Sequence, residues 1–317
     1  MNAGALLVAC ALDAVVGDPR WLPHPVRLMG QVIAGYERSI RPVLSTRTCE
    51  RMAGIVLAVG LPAAAYGAAW FAIDQLGRLH EVIGQGVEVV LAFTTLAARD
   101  LADHARAVRQ ALASGSLEEA RGAVSQIVGR DTAQLAEGGV VRATVESVAE
   151  STADGVVAPL LYLALGGPPL ALAYKAISTL DSMVGHLDDR YRYFGWASAR
   201  LDDLANWVPA RLTALLIVLS AGLVRRDAGA AKRAWRVFQR DGKKHPSPNS
   251  GHPEAAMAGA LGVQLGGASY YEGVAMAHSL MGEPIRSLGP PCISDALCIM
   301  WTVFLIGTLL AAGVLWL

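Results

Sequence analysis

Apolar runs of membrane-spanning length dominate this sequence. Three of them, nearly uninterrupted, cover residues 53–73, 83–98 and 296–317. A helix of about 20 apolar residues crosses a bilayer core. Two further apolar runs cover residues 155–177 and 207–224, although "GGPP" interrupts the first and a proline and an arginine lie near the start of the second. The five runs predict an all-α fold: a polytopic helical membrane protein with polar helical loops.

The composition agrees with a membrane protein. Only 17% of the residues are charged, whereas soluble domains carry about 25%. The net charge is zero, so the chain lacks the overall positive charge that would attract nucleic acid. No nucleic-acid partner is expected. The four cysteines include no CxxC pair, which favours neither a disulfide framework nor a zinc site. The N-terminal run holds Asp13 and no basic residue precedes it, so a cleaved signal peptide is not expected.

The polar segments predict a single integral membrane domain over residues 1–317. They comprise a polar helical hairpin at about 99–135 and two polar motif loops at 178–206 and 225–255. In the hairpin, Ser116 and Glu119 fit a capping box. A helical stripe of apolar residues follows, at Ala120, Val124 and Ile127. We find little evidence for strands.

The basic residues predict which segments face the cytoplasm. Segments 35–51 and 225–244 are rich in Lys and Arg, and the positive-inside rule places both in the cytoplasm. If runs 155–177 and 207–224 both span the membrane, the loop at 178–206 lies outside. If either run is re-entrant, the polar segments share the cytoplasmic side, which is the arrangement we favour.

Three carboxylates follow one another at a spacing of four residues just before an apolar run. They are Glu146, Glu150 and Asp154, which lie within about 80° of one another on a helix. One interpretation is a solvated helix face. However, the neighbouring residues are small or apolar, and desolvated carboxylates need a cation or a basic partner. Mg²⁺ held by one or two carboxylates and substrate phosphates is the alternative that we develop.

The stretch "LDAVVGDPRWLPHPVRLMG" places several polar residues among prolines and glycines. One interpretation is a rigid loop after the first helix, with Asp18 starting a turn. The other is a binding segment, in which Arg27 contacts a phosphate or carboxylate. Asp13, Asp18, His24 and Arg27 are the candidate binding residues.

Two segments place charged residues beside apolar ones. Lys175 and Asp181 lie in or beside the apolar run 155–177. An ionisable residue within a membrane is costly, so we interpret these two as functional. The alternative is a structural ion pair. Asp202, Asp203 and Asn206 lie among aromatic residues, which by themselves indicate an interfacial belt.

The stretch "RDGKKHPSPNSGHPEAAMAGALGVQLGG" combines basic turn residues with the start of a helix. Lys243, Lys244 and His245 precede a helix that we expect to begin at Glu254, and a helix N-terminus with such neighbours predicts an anion site. The alternative is a basic juxtamembrane loop attracted to anionic lipid. We interpret His80, His104 and His278 as structural. The sequence has no P-loop motif.

Five long motifs resemble those of a known family. They are "GDPRWLPHPVRLMG", "SVAESTADGVVAPL", "STLDSMVGH", "RYRYFGWASARLDDLANWVPARL" and "HPSPNSGHPEAAMAGALGVQLGG". Together they are similar to the adenosylcobinamide-phosphate synthase family of cobalamin biosynthesis. The resemblance implies a multi-pass protein of the bacterial inner membrane. It also implies ATP-dependent amide formation between adenosylcobyric acid and (R)-1-aminopropan-2-ol, as its O-phosphate or the free amino alcohol, through an acyl phosphate.

The resemblance and the residue types together suggest roles for the candidate residues. ATP and Mg²⁺ are the expected cofactors, the adenosylated corrinoid is a substrate, and the bilayer and other corrinoid-pathway membrane enzymes are expected partners. We assign catalytic roles to Glu150, Lys175, Asp202, Asp203 and His245. We assign binding of substrate or phosphate to Asp13, Asp18, His24, Arg27, Arg130, Asn206, Lys243, Lys244, Asn249 and Glu254. We assign the metal to Glu146, Glu150, Asp154 and Asp181.

Two other classes of function remain open. A transporter of a corrinoid or small polar substrate would also place Lys175 and a broken helix within the membrane. A membrane scaffold for corrinoid enzymes would carry no chemistry of its own. The long, motif-dense polar loops favour the ligase.

Overall fold

A computed structural model describes residues 1–317 apart from residues 20, 22, 187 and 272, and for residue 225 it describes the backbone alone. The chain is mostly helical. The helices are α1 (Ala3–Val16), α2 (Pro25–Ile40), α3 (Arg47–Leu79), α4 (Glu81–Phe93), α5 (Ala98–Ala113), α6 (Leu117–Val124), α7 (Glu137–Thr152), α8 (Ala158–Val184), α9 (Trp196–Ala205), α10 (Trp207–Arg225), α11 (Ala228–Asp241), α12 (Gly251–Leu261) and α13 (Pro290–Trp316). A 3₁₀ turn covers Arg41–Val43 and a π-helical turn covers Ala153–Val157.

Five helical stretches in the described part of the chain are long and apolar enough to cross a membrane. They are Arg47–Leu79, Glu81–Ala113, Glu137–Val184, Trp207–Val224 and Pro290–Trp316. Each overlaps one of the five apolar runs. The prediction of an all-α, multi-pass membrane protein is therefore confirmed.

The chain folds into two compact units, which we describe separately. Unit 1 comprises Met1–Ala97, Ala158–Asn206 and Thr308–Leu317, and unit 2 comprises Ala98–Val157 and Trp207–Gly307. The organisation as one membrane domain stays a prediction.

Unit 1 is built on the antiparallel packing of α3 and α8. The start of α3 packs on the end of α8 in a cluster formed by Ile33, Ala53, Leu57, Leu180, Val184 and Phe194. Further along α3, a second cluster joins Met29, Ala69, Leu172 and Ala176. The "GGPP" segment does break the regular path of α8, because Gly166 and Gly167 have non-helical backbone angles and Gly167 has a φ of 67°.

Arginine–aromatic contacts join two polar segments at one end of unit 1. The Arg47 guanidinium lies 5.3 Å from the centre of the Tyr193 ring, and that of Arg51 lies 3.8 Å from the Trp196 ring. These contacts hold residues 190–196 against the start of α3. The side of the membrane on which the polar segments lie stays a prediction.

The same end of unit 1 requires a glycine on α3. A β-carbon on Gly54 would overlap the Phe194 carbonyl group, and backbone atoms move less readily than the end of a side chain. We expect Gly54→Ala to lower the free energy of unfolding by about 1–3 kcal/mol, the usual cost of overpacking. The matched control is Gly60→Ala on the same helix, because no described heavy atom outside that helix lies within 4 Å of the added carbon. Thermal unfolding in detergent measures both variants, and equal midpoints would contradict the close approach.

Unit 2 contains a β-hairpin that the sequence analysis missed. Strands β1 (Gln264–Tyr271) and β2 (Val274–Gly282) pair antiparallel, with an irregular register between Leu265 and Gly267. Gly266 and Gly267 have φ angles of 83° and 94°, which favour glycine. The expectation of a mostly helical chain with little strand structure is confirmed, but this small hairpin was not located, because glycine and alanine obscure the alternation that identifies a strand.

The predicted polar hairpin segment contains α5 and α6, both in unit 2. The Ser116 hydroxyl caps α6 by accepting the Glu119 N–H at 3.3 Å. Ala120 and Val124 are buried. The helix ends at Val124, so the predicted extension of the helical stripe to Ile127 is wrong, and Ile127 lies in the following turn.

Candidate functional site

Glu146 of α7 is a buried carboxylate in unit 2 with its own basic partner. Its side chain is 6% exposed, and Arg130 Nη2 lies 2.6 Å from Oε2. Its other oxygen, Oε1, accepts the Gly266 N–H at 2.8 Å. An arginine sixteen residues earlier in the chain therefore neutralises this carboxylate, and its assignment to a metal stays a prediction.

Two arginines anchor the β-hairpin to α7. Arg130 Nη1 donates to Ser269 Oγ at 3.0 Å. Arg142 of α7 donates to the carbonyl groups of Gly266 and Ala268. The first strand of the hairpin is thus held against the helix that carries the predicted carboxylates.

The next two carboxylates of the motif are more open. Glu150 is exposed, and its Oε1 accepts the Ser250 hydroxyl at 2.7 Å. Asp154 is half-buried in the π-helical turn that follows α7. Such turns occur frequently at functional sites. Unlike Glu146, Glu150 lies where a ligand from solvent can reach it.

Glu254 of α12 is a second deeply buried acid near this motif. Its side chain is 7% exposed. Burial and the negative charges of Glu150 and Glu146 hold the pKa of Glu254 well above its usual range, and Arg130 opposes this in part. A carboxyl group of this kind keeps its proton to a higher pH than an exposed glutamate does. The helix begins at Gly251, three residues earlier than predicted.

His245 faces this carboxyl group. Its Nδ1 accepts the Ser247 N–H at 3.0 Å, and its Nε2 lies 4.0 Å from Glu254 Oε1. A neutral ring in this arrangement carries its proton on Nε2, on the side of Glu254. Burial lowers the pKa of His245, although the charge of Glu150 opposes the shift. The pair can therefore exchange protons with a bound substrate.

His278 is a candidate that the sequence analysis missed, since we interpreted it as structural. Its ring stacks on that of His245 with centres 5.8 Å apart and planes 12° apart. Both ring nitrogens are buried and have no hydrogen-bond partner in the described part of the chain. The pairing of the two strands places His278 opposite Gly267. No local pattern in the sequence predicts that His278 lies beside His245.

Two predicted phosphate-binding residues support the loop before α12. Lys244 Nζ lies 2.7 Å from Oδ1 of the buried Asp241, and Asn249 Oδ1 accepts a hydrogen bond from Arg211 at 3.3 Å. Arg211 also donates to the Trp207 carbonyl group, so it joins this loop to the start of α10. Lys244 and Asn249 thus both have partners within the protein, and their assignment to phosphate binding stays a prediction. Lys243 is exposed.

The aromatic segment of unit 1 holds one of its carboxylates in a fixed orientation. Asn206 Nδ2 lies 3.0 Å from each carboxylate oxygen of Asp202, and Asn206 Oδ1 accepts the Tyr174 hydroxyl at 2.9 Å. Asn206 is buried. Burial raises the pKa of Asp203, while Arg200 lowers it. Asn206 therefore orients Asp202 from within the protein.

The remaining candidates also lie in unit 1. Asp13 is buried within α1, and His24 Nε2 lies 3.1 Å from Asp18 Oδ1. His24 also begins α2, because its Nδ1 accepts the Val26 N–H. Arg27 is exposed and donates to the Pro19 carbonyl group at 3.4 Å. Two further candidates, Lys175 and Asp181, are half-buried in α8.

In unit 2, therefore, the fold brings together Arg130, Glu146, Glu150, His245 and Glu254 with His278. Among all the residues that the structure describes, no three His, Cys, Asp or Glu side chains are arranged to hold a metal ion. The metal assignment of Glu146, Glu150, Asp154 and Asp181 stays a prediction, and it needs substrate oxygens to complete a coordination sphere.

Comparisons with known proteins give matches over nearly the whole chain. The family model described as "CobD/Cbib protein" matches residues 6–300. The cobalamin biosynthesis protein CobD of Geobacter metallireducens is 50% identical over 316 residues, which cover 98% of this chain and 96% of that protein. The CbiB protein of Salmonella typhimurium is 44% identical over 301 residues, which cover 95% of this chain and 93% of that protein. No solved structure matches.

Proposed function

Because the chain belongs to the CobD/CbiB family of cobalamin biosynthesis proteins, we propose that it is an ATP-dependent amide synthetase of the bacterial inner membrane. It joins a carboxylate of adenosylcobyric acid to the amine of (R)-1-aminopropan-2-ol O-phosphate, or of the free amino alcohol. The buried acid Glu254 beside His245 is the observation that carries the proposal.

The reaction needs activation of a carboxylate, whose own leaving group would be oxide. Transfer of the γ-phosphoryl group of ATP gives an acyl phosphate and ADP. The amine then forms the C–N bond, the C–O bond to phosphate breaks, and phosphate leaves with the electron pair. The amine also loses a proton. The protein must therefore bind phosphate oxygens and provide a proton acceptor.

Glu254 is the proton acceptor that we propose. Its raised pKa suits a base that works near neutral pH, and the neighbouring His245 Nε2, 4.0 Å away, can pass the proton on towards solvent. His278, stacked on His245, has a buried ring N–H that can donate to a substrate oxygen.

Glu150 and Asp154 are the residues that we propose for the nucleotide metal. Glu150 is exposed, so a ligand from solvent can reach it. Asp154, four residues later, is half-buried. Mg²⁺ is commonly held by one or two carboxylates together with phosphate oxygens and water, which fits this donor set. When bound, Mg²⁺ neutralises phosphate charge. Lys243 is the exposed cation that we propose for the same phosphates.

A direct assay tests this function against its alternatives. Purified protein is incubated with ATP, Mg²⁺, adenosylcobyric acid and aminopropanol phosphate, and the products are separated by mass. A new amide with stoichiometric ADP supports the ligase. Uptake of the corrinoid into vesicles without amide formation would instead establish a transporter. If neither activity is observed, the scaffold hypothesis remains.

Replacing Glu254 tests its role as a base. We expect Glu254→Gln to lower kcat by about 10²-fold, the lower end for loss of a general base. In the unaltered enzyme kcat rises with pH as Glu254 ionises, through a pKa above the usual value for glutamate, and this limb should vanish in the variant. Glu118→Gln, an exposed acid on α6, is the control. An unchanged pH profile in the Glu254 variant would assign the base elsewhere.

A further inference from the structure

Helix α11 carries a basic and aromatic stripe on its exposed side. Ala230, Ala234 and Val237 are buried, and Ala234 lies against Gly259 of α12. The opposite side surrounds an open depression of about 670 Å³. The residues that line it are Lys232, Trp235, Arg236, Gln239 and Arg240, which recur at helical spacing on one face.

Two of these cations are left for an external ligand. Arg240 is paired with Asp241 and Glu283 at 2.8 Å each. Arg233, on the flank of the stripe, lies 3.8 Å from Asp227. Among the described residues of this helix, Lys232 and Arg236 form no such ion pair, and both are exposed. The depression therefore presents positive charge beside an indole ring.

The preceding helix places this stripe at a membrane boundary. α10 is apolar enough to cross a membrane, and its residues Leu219 and Leu223 are 57% and 63% exposed, as expected for side chains that face lipid. Near its end, a β-carbon on Gly222 would lie 3.3 Å from the Ala231 side chain. The basic stripe thus begins where the lipid-facing surface of α10 ends.

We propose that the Lys232–Arg236 face of α11 is a docking surface for the phosphate headgroup of an anionic phospholipid. Lys232 and Arg236 neutralise the phosphate, and Trp235, which is 46% exposed, lies at the headgroup level that tryptophan favours. A basic segment next to a membrane span attracts anionic lipid, and here the structure assigns that attraction to two side chains. The proposal does not depend on the catalytic activity.

Competitive lipid retention tests this surface. The full-length protein is reconstituted into vesicles of mixed phosphatidylglycerol and phosphatidylcholine and extracted in mild detergent, and its bound lipids are counted by native mass spectrometry. Each basic residue near a membrane surface changes lipid affinity about fivefold, so Lys232→Gln with Arg236→Gln should lower phosphatidylglycerol affinity by about 25-fold. Phosphatidylcholine retention should not change.

Two control variants separate a local site from general charge. Lys232→Arg with Arg236→Lys keeps both charges and should retain phosphatidylglycerol. Arg106→Gln with Arg109→Gln removes two charges from α5 and should retain it as well. Size-exclusion profiles establish that each variant is folded. Unchanged retention in the Lys232/Arg236 glutamine variant, or an equal loss in the α5 variant, would overturn the proposal.

Discussion

Replacing Glu150 by glutamine is expected to abolish amide formation while the protein still inserts and folds. Glu150 is the exposed carboxylate of the α7 motif, and a hydrogen bond from Ser250 orients it. If it holds the nucleotide metal, the neutral amide loses the charge that binds Mg²⁺. Loss of one such electrostatic contact costs about 10²–10³-fold in kcat. Ser250 can still donate to the amide oxygen, so the fold should persist.

Two further variants define the metal role of Glu150. Glu150→Asp keeps the charge, so we expect partial activity and a higher Mg²⁺ requirement. Glu137→Gln alters an exposed acid at the start of the same helix and should leave the rate unchanged. The rates are measured as ADP release and amide formation over a range of Mg²⁺ concentrations. ATP-dependent product formation at the original rate by Glu150→Gln would remove this residue from the metal role.

Replacing Arg130 by methionine is expected to be the most destabilising of these changes. The substitution leaves Glu146 buried without its cation, and breaking a buried ion pair in this way costs about 3–5 kcal/mol. It also removes the hydrogen bond from Arg130 to Ser269, which helps to anchor the β-hairpin. The free energy of unfolding in mixed detergent micelles measures the loss.

A double-mutant cycle separates the ion pair from other effects of the arginine. Adding Glu146→Gln to Arg130→Met removes the unpaired buried charge and should recover much of the lost stability. The exposed control is Arg106→Met, whose partner Asp103 is 50% exposed, and which should cost no more than about 1 kcal/mol. If Arg130→Met and Arg106→Met lower the free energy of unfolding equally, another group must neutralise the buried charge of Glu146.

The fold class could be predicted because its signal is local in the chain. The apolar run at 296–317 and the others each correspond to a helix, since length and continuous hydrophobicity suffice to identify a membrane span. Hydrophobic length and continuity could not predict the hairpin β1–β2. Its strands are rich in glycine and small residues, and long-range contacts stabilise it, such as those from Arg142 to Gly266 and Ala268.

The candidate site was predicted in part. The motifs singled out Glu146, Glu150, His245 and Glu254, which the fold does bring into one region of unit 2. They did not indicate which charges were already neutralised. Lys244 was predicted for phosphate, but it pairs with Asp241, whose acidity depends on a tertiary contact. Hydrogen bonds from Arg240, Lys244 and the Gly282 N–H hold the pKa of Asp241 well below its usual range, although burial opposes them.

The sequence by itself determined that this chain is a helical membrane protein with acidic and histidine-containing motifs, because hydrophobic length and short motifs are properties of contiguous residues. The tertiary structure alone decided the environment of each motif. It paired Arg130 with Glu146, buried Glu254 near two other carboxylates and stacked His278 on His245. Charge state and proton affinity depend on neighbours in space, and those neighbours come from residues far apart in the chain.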